Sequence, residues 1–341
     1  QLREVAADAW GRLLHPALES DIKAELKEEA DEEAIRIFGT NLENLLLQPA
    51  AGERPVLGLD PGFRTGVKAA MVSRTGAVLG TDVLPLHQEN RFHKGLPDLV
   101  RKHHPELFAV GNGTASRETE QAVREALHGM GEDRASLPAV VSVNEAGASV
   151  YSASELATRE LPELDVTLRG AVSIARRLQD PLAELVKIDA KSIGVGQYQH
   201  DVNQTRLAQR LDEVVERCVN QVGVEVNTAS MALLSYVAGI GPKLARNMVR
   251  LRDARGGFGS RKELMDVPLL GPKAFEQAAG FLRVRGGAHP LDATAVHPER
   301  YGLVEAMARD LGTDVNGLVE NESALASLES NLKRYVSDDV G

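Results

Sequence analysis

Cysteine is almost absent: Cys218 stands alone in 341 residues, which excludes an internal disulfide framework and a cysteine-based zinc site. That scarcity fits a reducing, cytoplasmic setting. Aromatic side chains make up 4% of the chain, too few for stacking on many bases to dominate a contact with nucleic acid. Nine histidines are scattered, with His103 and His104 an isolated pair and no His-x-x-x-His spacing, so no histidine metal site is expected on a helix face. No apolar run approaches the roughly 18 residues that span a bilayer, and no charged-then-apolar leader precedes Val5; no membrane partner is expected. The first residue is Gln1 rather than methionine, which reads as an excised segment or a processed chain. Phosphate-loop spacing is missing as well. The glycines at 191–201 lack a Gly-Lys-Ser/Thr, so that stretch reads as a connector into a helix at 203–221. Ser116 and Ser149 have no base beside them in any recognisable nucleophile pattern.

What the chain does hold is a repeated hairpin. Gly239-Ile240-Gly241-Pro242-Lys243 returns in altered form as Leu269-Leu270-Gly271-Pro272-Lys273. Such a pair resembles a tandem helix-hairpin-helix: a helix ends near Val237, glycine permits the positive φ of the hairpin, and proline opens the next helix. The free N–H groups at that helix start can hold a phosphate oxygen, and Lys243 and Lys273 add a full charge at the same offset. From 239 to 285 there are ten basic side chains (Lys243, Arg246, Arg250, Arg252, Arg255, Arg261, Lys262, Lys273, Arg283, Arg285) and four acidic ones, a local +6 in a chain of net charge −10. The contrast points to a basic patch for a polyanion. The alternative is ordinary Gly-Pro helix punctuation. Because Leu269 replaces the first glycine, the second hairpin is expected to serve mainly as packing support.

Around the hairpins the texture changes in blocks. Residues 1–50 form an acidic helical arm, with Leu13, Leu14, Leu18, Ile22 and Leu26 and then Ile35, Phe38, Leu42, Leu45 and Leu46 at helical spacing. The apolar stripe is expected to pack on its own protein rather than dock another chain. A Pro-Ala-Ala-Gly linker at 48–55 leads into short β-branched runs at 56–60, 67–72, 77–84, 107–110 and 139–143. Tight turns pair the first three antiparallel, and helices at 87–102 and 115–128 let the later two add in parallel. This predicts a multidomain α/β plus all-α chain, with a mixed five-stranded sheet at 51–190, a helical connector at 191–234, tandem hairpins at 235–290 and an acidic helical region at 291–341. Leu303, Met307, Leu311, Leu318, Leu325, Leu328 and Leu332 predict two or three helices in that last region, and no phosphate binding is expected of it.

Asp60 ends the first strand in Val56-Leu57-Gly58-Leu59-Asp60-Pro61-Gly62. Together with Val110-Gly111-Asn112-Gly113-Thr114, Val143-Asn144-Glu145-Ala146-Gly147, the run from Leu168 to Pro181 and the hairpin pair, it resembles the Tex family of bacterial transcription accessory factors. That resemblance implies a YqgF-type, RNase H-like domain followed by tandem helix-hairpin-helix motifs, and a role in transcription or RNA handling. It also implies flanking regions, an N-terminal helix-turn-helix region and a C-terminal OB-fold, that are not recognisable here.

An RNase H-like site that cuts needs several converging carboxylates to hold two Mg²⁺ ions about 4 Å apart. Asp60 and Glu145 fit by resemblance. Asn112 stands where the fourth strand is expected to supply an acid, Arg169-Gly170-Ala171 stands where the following helix should open on one, and Asp180 lies roughly 15 Å further along that helix. A guanidinium at 169 is expected to repel Mg²⁺ and attract phosphate. The reading is therefore a non-catalytic protein that binds RNA or DNA through the backbone, without cofactor or metal. Gly239, Gly241, Lys243 and Arg246 are the main anchors, and Gly271 and Lys273 are secondary. Two alternatives stand: a metal-dependent nuclease using Asp60, Glu145 and Asp180 with Mg²⁺, and a scaffold whose acidic helices dock the transcription or translation machinery.

Overall fold

The computed structural model describes residues 1–130, 137–319, 321 and 335. Leu325, Leu328 and Leu332 lie outside the described residues. The chain divides into two compact units, Gln1–Val215 and Glu216–Gly341, and the division falls inside one helix.

The first unit opens on α1 (Leu2–Ala9), a π-helical turn (Trp10–Leu14) and α2 (His15–Leu46), one continuous helical stretch. Its apolar stripe splits in two. Ile35, Phe38, Leu42 and Leu46 are buried, whereas Leu13, Leu14, Leu18, Ile22 and Leu26 are about half exposed or more. Among the described residues of this chain, nothing covers the stripe over the first thirty residues. Periodicity reports an apolar face, but not whether anything covers it.

Next come β1 (Val56–Asp60), β2 (Val67–Val72), β3 (Val78–Leu84), α3 (Glu89–His103), β4 (Leu107–Gly111), α4 (Ser116–His128) and β5 (Ala139–Val143). The sheet order is β3-β2-β1-β4-β5. β1 pairs antiparallel with β2, and β2 with β3; β1 pairs parallel with β4, and β4 with β5. The mixed five-stranded sheet predicted from the strand runs is present. Four helices follow the sheet: α5 (Ala148–Ala153), α6 (Glu155–Glu160), α7 (Val166–Gln179) and α8 (Pro181–Leu185). The linker at 48–55 is strapped down, since Ala51 and Gly52 donate N–H bonds to the carbonyls of Leu178 and Gln179.

Side-chain alternation positions the candidate site. Val56, Ala70, Leu107, Ala109 and Val143 share a core with α7, while Leu57, Leu59, Val67, Phe108 and Val110 face the opposite core with Phe92 and Val123. Because successive side chains in a strand point to opposite faces, Gly58 and Asp60 turn toward α7. Gly58 has a steric role there: a Cβ would overlap the carbonyl oxygen of Ala171, so α7 can lie close on β1 only without one.

α9 (Gln204–Val222) runs from the first unit into the second. The second unit then holds β6 (Val224–Glu225), α10 (Met231–Leu234), α11 (Pro242–Arg255), α12 (Pro272–Ala279), β7 (Leu282–Arg283), α13 (Tyr301–Asp310) and α14 (Val315–Val319). β6 and β7 pair in parallel and tie the start of the hairpin region to its end. Arg261 lies at 1% exposure in this unit and donates to the carbonyls of Leu282, Thr294 and Val296 and to the Tyr301 hydroxyl. No helix among the described residues is long and apolar enough to cross a membrane.

Candidate nucleic-acid interface

Each hairpin turns on a left-handed residue, Gly239 at φ 81° and Leu269 at φ 74°. Glycine adopts that conformation freely; a leucine there costs about 1–2 kcal/mol. The N-caps that follow, Gly241 and Gly271, have φ near −80°, so neither is glycine for conformational reasons, and a Cβ on either would meet nothing. Pro242 and Pro272 open α11 and α12 as the sequence predicts. The first helical hydrogen bond in α11 is Ala245 N–H to Gly241 carbonyl, and in α12 it is Phe275 N–H to Gly271 carbonyl. The N–H groups of Gly241, Lys243 and Leu244, and of Gly271, Lys273 and Ala274, precede those bonds and point out of the helix start.

Both tips are open. Gly239, Gly241, Lys243, Arg246, Gly271 and Lys273 are all exposed, and Leu269 is 64% exposed. The second hairpin is thus presented like the first, and its expected role as mere packing support is not what the fold shows. The basic count needs a larger correction. Arg261 and Arg283 are buried, Arg252 donates to the carbonyls of Val226 and Ala229, and Arg255 pairs with Asp266 at 2.8 Å. A buried guanidinium whose donors are taken by backbone carbonyls cannot also reach a phosphate. Lys243, Arg246, Arg250, Lys262, Lys273 and Arg285 remain on the surface, so fewer unpaired charges face outward than the sequence count indicated.

A third hairpin escaped the sequence reading. Gly312, at φ 69°, links α13 to α14. There the helix start is already occupied, because the Asp314 carboxylate accepts the Gly317 N–H at 2.7 Å. A fixed carboxylate over those amides excludes a phosphate, in keeping with the acidic composition of this region.

In the first unit the strand ends set out a different arrangement. Asp60 and Glu145 come together on the α7 side of the sheet, near enough that the Asp60 charge adds to the rise in the Glu145 pKa. For both carboxyls burial is the main cause of an upward shift; Lys68, the register partner of Asp60 on β2, offsets part of it for Asp60. The other two positions facing this point are glycines. Gly111 ends β4, and a Cβ there would overlap Glu145 Oε2; Gly170 lies on α7, where a Cβ would stand 2.7 Å from Asp60 Oδ2. Asn112 turns away and accepts the Glu145 N–H at 3.2 Å, while Gly113 N–H donates to the Glu145 carboxylate. Arg169 is buried and donates to the carbonyls of Leu164 and Ser152 and to the Thr158 hydroxyl, which corrects the expectation that it draws in phosphate. Asp180 caps α8 by accepting the Ala183 N–H at 2.9 Å, at the far end of α7 from Gly170. Among the described residues no group of three metal-ligating side chains forms. Two acids, two glycines and a lysine do not fit a two-metal centre.

Asp60→Asn is therefore expected to leave nucleic-acid affinity unchanged and to raise the denaturation midpoint at neutral pH. A carboxyl whose folded pKa is raised contributes stability below its ordinary value near 3.8 and loses it as pH rises through the folded pKa. The gain from asparagine should accordingly vanish on acidification below that value; a gain that is the same at every pH contradicts the assignment.

Comparison with known proteins agrees with this division. A profile for the Tex protein YqgF-like domain matches residues 54–179, one for the helix-hairpin-helix motif matches 219–283, and an HHH domain profile matches 289–341, where the third hairpin lies. The transcriptional accessory protein Tex of Neisseria gonorrhoeae is 55% identical over 97% of this chain, and protein YhgF of Escherichia coli is 51% identical over 97%. The S1 RNA-binding domain-containing protein 1 of Homo sapiens is 45% identical over 81%. A RuvC structure from Thermus thermophilus covers 39% of this chain and 95% of its own, with 19% identity and a TM-score of 0.28. The chain spans 43% of the length of the Neisseria relative and 44% of the Escherichia one. With its hairpins, its mixed five-stranded sheet and these relatives, the chain belongs to the Tex family.

Proposed function

We propose that this chain binds nucleic acid through the sugar-phosphate backbone, without cutting it, as part of a cytoplasmic transcription accessory factor. The observation that carries the reading is the pair of exposed helix starts, each with free N–H groups and a lysine at the same offset. Backbone contacts carry no base information, so weak sequence preference follows. The paired glycines beside Asp60 and Glu145 support a sheet domain that has kept its fold without its chemistry, and the reading needs no metal or cofactor. Contact with the transcription machinery is part of the same proposal and is supported by the name of the Neisseria relative alone.

A salt titration tests it. If the two hairpins neutralise about four phosphates, raising salt from 50 to 200 mM weakens binding to RNA or duplex DNA by roughly a hundredfold. Affinity that is flat across this range overturns the reading. Incubation with branched DNA and structured RNA in Mg²⁺ or Mn²⁺ addresses the nuclease alternative, where cleavage lost in Asp60→Asn would count against a silent sheet.

A further inference from the structure

We propose that the cleft beside the first hairpin seats a ribose, with the Glu216 carboxylate accepting its 2′-hydroxyl, so that this site prefers RNA to DNA. The proposal deepens the backbone-gripping reading and rests on it. The cleft has a volume of about 290 Å³ and is lined by Glu216, Ser235, Tyr236 and the hairpin residues Ala238, Gly239 and Gly241, among others. That is at the lower limit of small-molecule pockets, which hold drug-sized ligands in roughly 300–1,000 Å³, and so suits one sugar rather than a whole cofactor.

The cleft is held in shape by α9. Asn220 Nδ2 donates to the Tyr236 carbonyl at 3.1 Å and to the Glu216 carbonyl at 2.7 Å, and Asn220 Oδ1 accepts the Ala238 N–H at 3.0 Å. This clamp fixes the hairpin against the turn of α9 that carries Glu216. The Glu216 side chain is exposed and finds no ion-pair or hydrogen-bond partner among the described residues.

A carboxylate beside a phosphate grip is a liability unless it meets a donor. Phosphate offers it none, and like charge repels. The sugar is the group bonded directly to a phosphate held at the Gly241 and Lys243 amides, and Gly241 itself lines the adjoining cleft. Ribose supplies a hydroxyl donor there; deoxyribose does not, and it leaves the carboxylate facing an apolar edge. Acidic side chains hold ribose hydroxyls in dinucleotide sites on the same principle, and the 2′-hydroxyl is what separates RNA from DNA at a given position. Discrimination then comes from the cost imposed on the wrong sugar as much as from the bond to the right one.

The experiment measures the affinity of the full chain for labelled RNA and DNA of identical sequence, with wild type, Glu216→Ala, Glu216→Gln and Lys243→Glu. Wild type is expected to favour RNA by about tenfold, the scale of one hydrogen bond to a charged group. Glu216→Ala should close the gap between the two affinities, lowering that for RNA and raising that for DNA, and Glu216→Gln, which keeps an acceptor without the charge, should leave a ratio in between. RNA methylated at the 2′-oxygens should bind wild type as DNA does. An RNA-to-DNA ratio unchanged in Glu216→Ala, while Lys243→Glu still weakens both, overturns the ribose assignment and leaves the phosphate grip standing. Indifference of both affinities to Lys243→Glu overturns the grip and the ribose assignment with it.

Discussion

Arg261→Ala is expected to destabilise the second unit by about 3–5 kcal/mol, enough to abolish its cooperative unfolding transition near physiological temperature. The side chain is 1% exposed, and its guanidinium is a hub. Nε donates to the Leu282 carbonyl at 2.7 Å, one terminal nitrogen donates to the Val296 carbonyl at 2.6 Å and the Tyr301 hydroxyl at 2.8 Å, and the other donates to the Thr294 carbonyl. Its own N–H binds Asp292 Oδ2 at 3.0 Å, and Tyr301 donates to Asp292 Oδ1 at 2.6 Å. Truncation leaves three carbonyls without donors, that of Leu282 fully buried, and a cavity the size of the side chain, two costs that add. Arg261→Lys keeps the charge but not the planar fork, and should recover less than half of the loss. Denaturant melts followed by a probe in this unit check it. A shift under 1 kcal/mol contradicts the hub. Nucleic-acid binding should fall with the fold, since both hairpins belong to this unit.

Glu160→Ala should cost the first unit about 2–4 kcal/mol, and the loss should depend on pH. The Glu160 carboxylate accepts from the Tyr151 hydroxyl at 2.7 Å, Lys187 at 3.0 Å and Arg176 at 3.1 Å. Lys187 is shared with Glu184 at 2.8 Å, so it keeps one partner when Glu160 is removed, and the loss is smaller than for a fully orphaned pair. Burial pushes the Glu160 carboxyl up, but Lys187, the Tyr151 hydroxyl and Arg176 together outweigh it and hold the pKa below its ordinary 4.5. A depressed carboxyl contributes stability above its unfolded value and loses it as pH falls through the folded one. Wild type should therefore lose stability on acidification below about pH 4.5, and Glu160→Gln should flatten that part of the curve. Parallel curves for the two proteins contradict the assignment.

The strand order was legible because five β-branched runs, tight turns and intervening helices leave few ways to connect them. Asp60, Glu145 and the two hairpins were legible as motifs. What failed was side-chain direction. Asn112 and Arg169 seemed to fill the missing acidic positions, yet each neighbour, Gly111 and Gly170, is the residue that faces Asp60 and Glu145. A step of one residue reverses the face on a strand and turns a helix by about 100°, and no sequence pattern fixes either phase at an element's end. Arg261 and Arg250 look alike in a charge count, though one is buried and the other exposed. The third hairpin was missed because its helix start carries Asp314 instead of lysine, so nothing basic drew attention to Gly312.

The central claim, that the two lysine-bearing tips hold the strand while the sheet domain stays chemically silent, is tested most directly by a charge-reversal pair with a matched control. Lys243→Glu with Lys273→Glu should weaken RNA and DNA binding by about a hundredfold at low salt and reduce the slope of log affinity against log salt by about two. Lys94→Glu with Lys102→Glu makes the same charge change on exposed residues of α3 in the other unit and should leave both quantities unchanged. Equal loss in the two variants would mean that net charge alone governs binding, and no loss in the first would remove the hairpins from it.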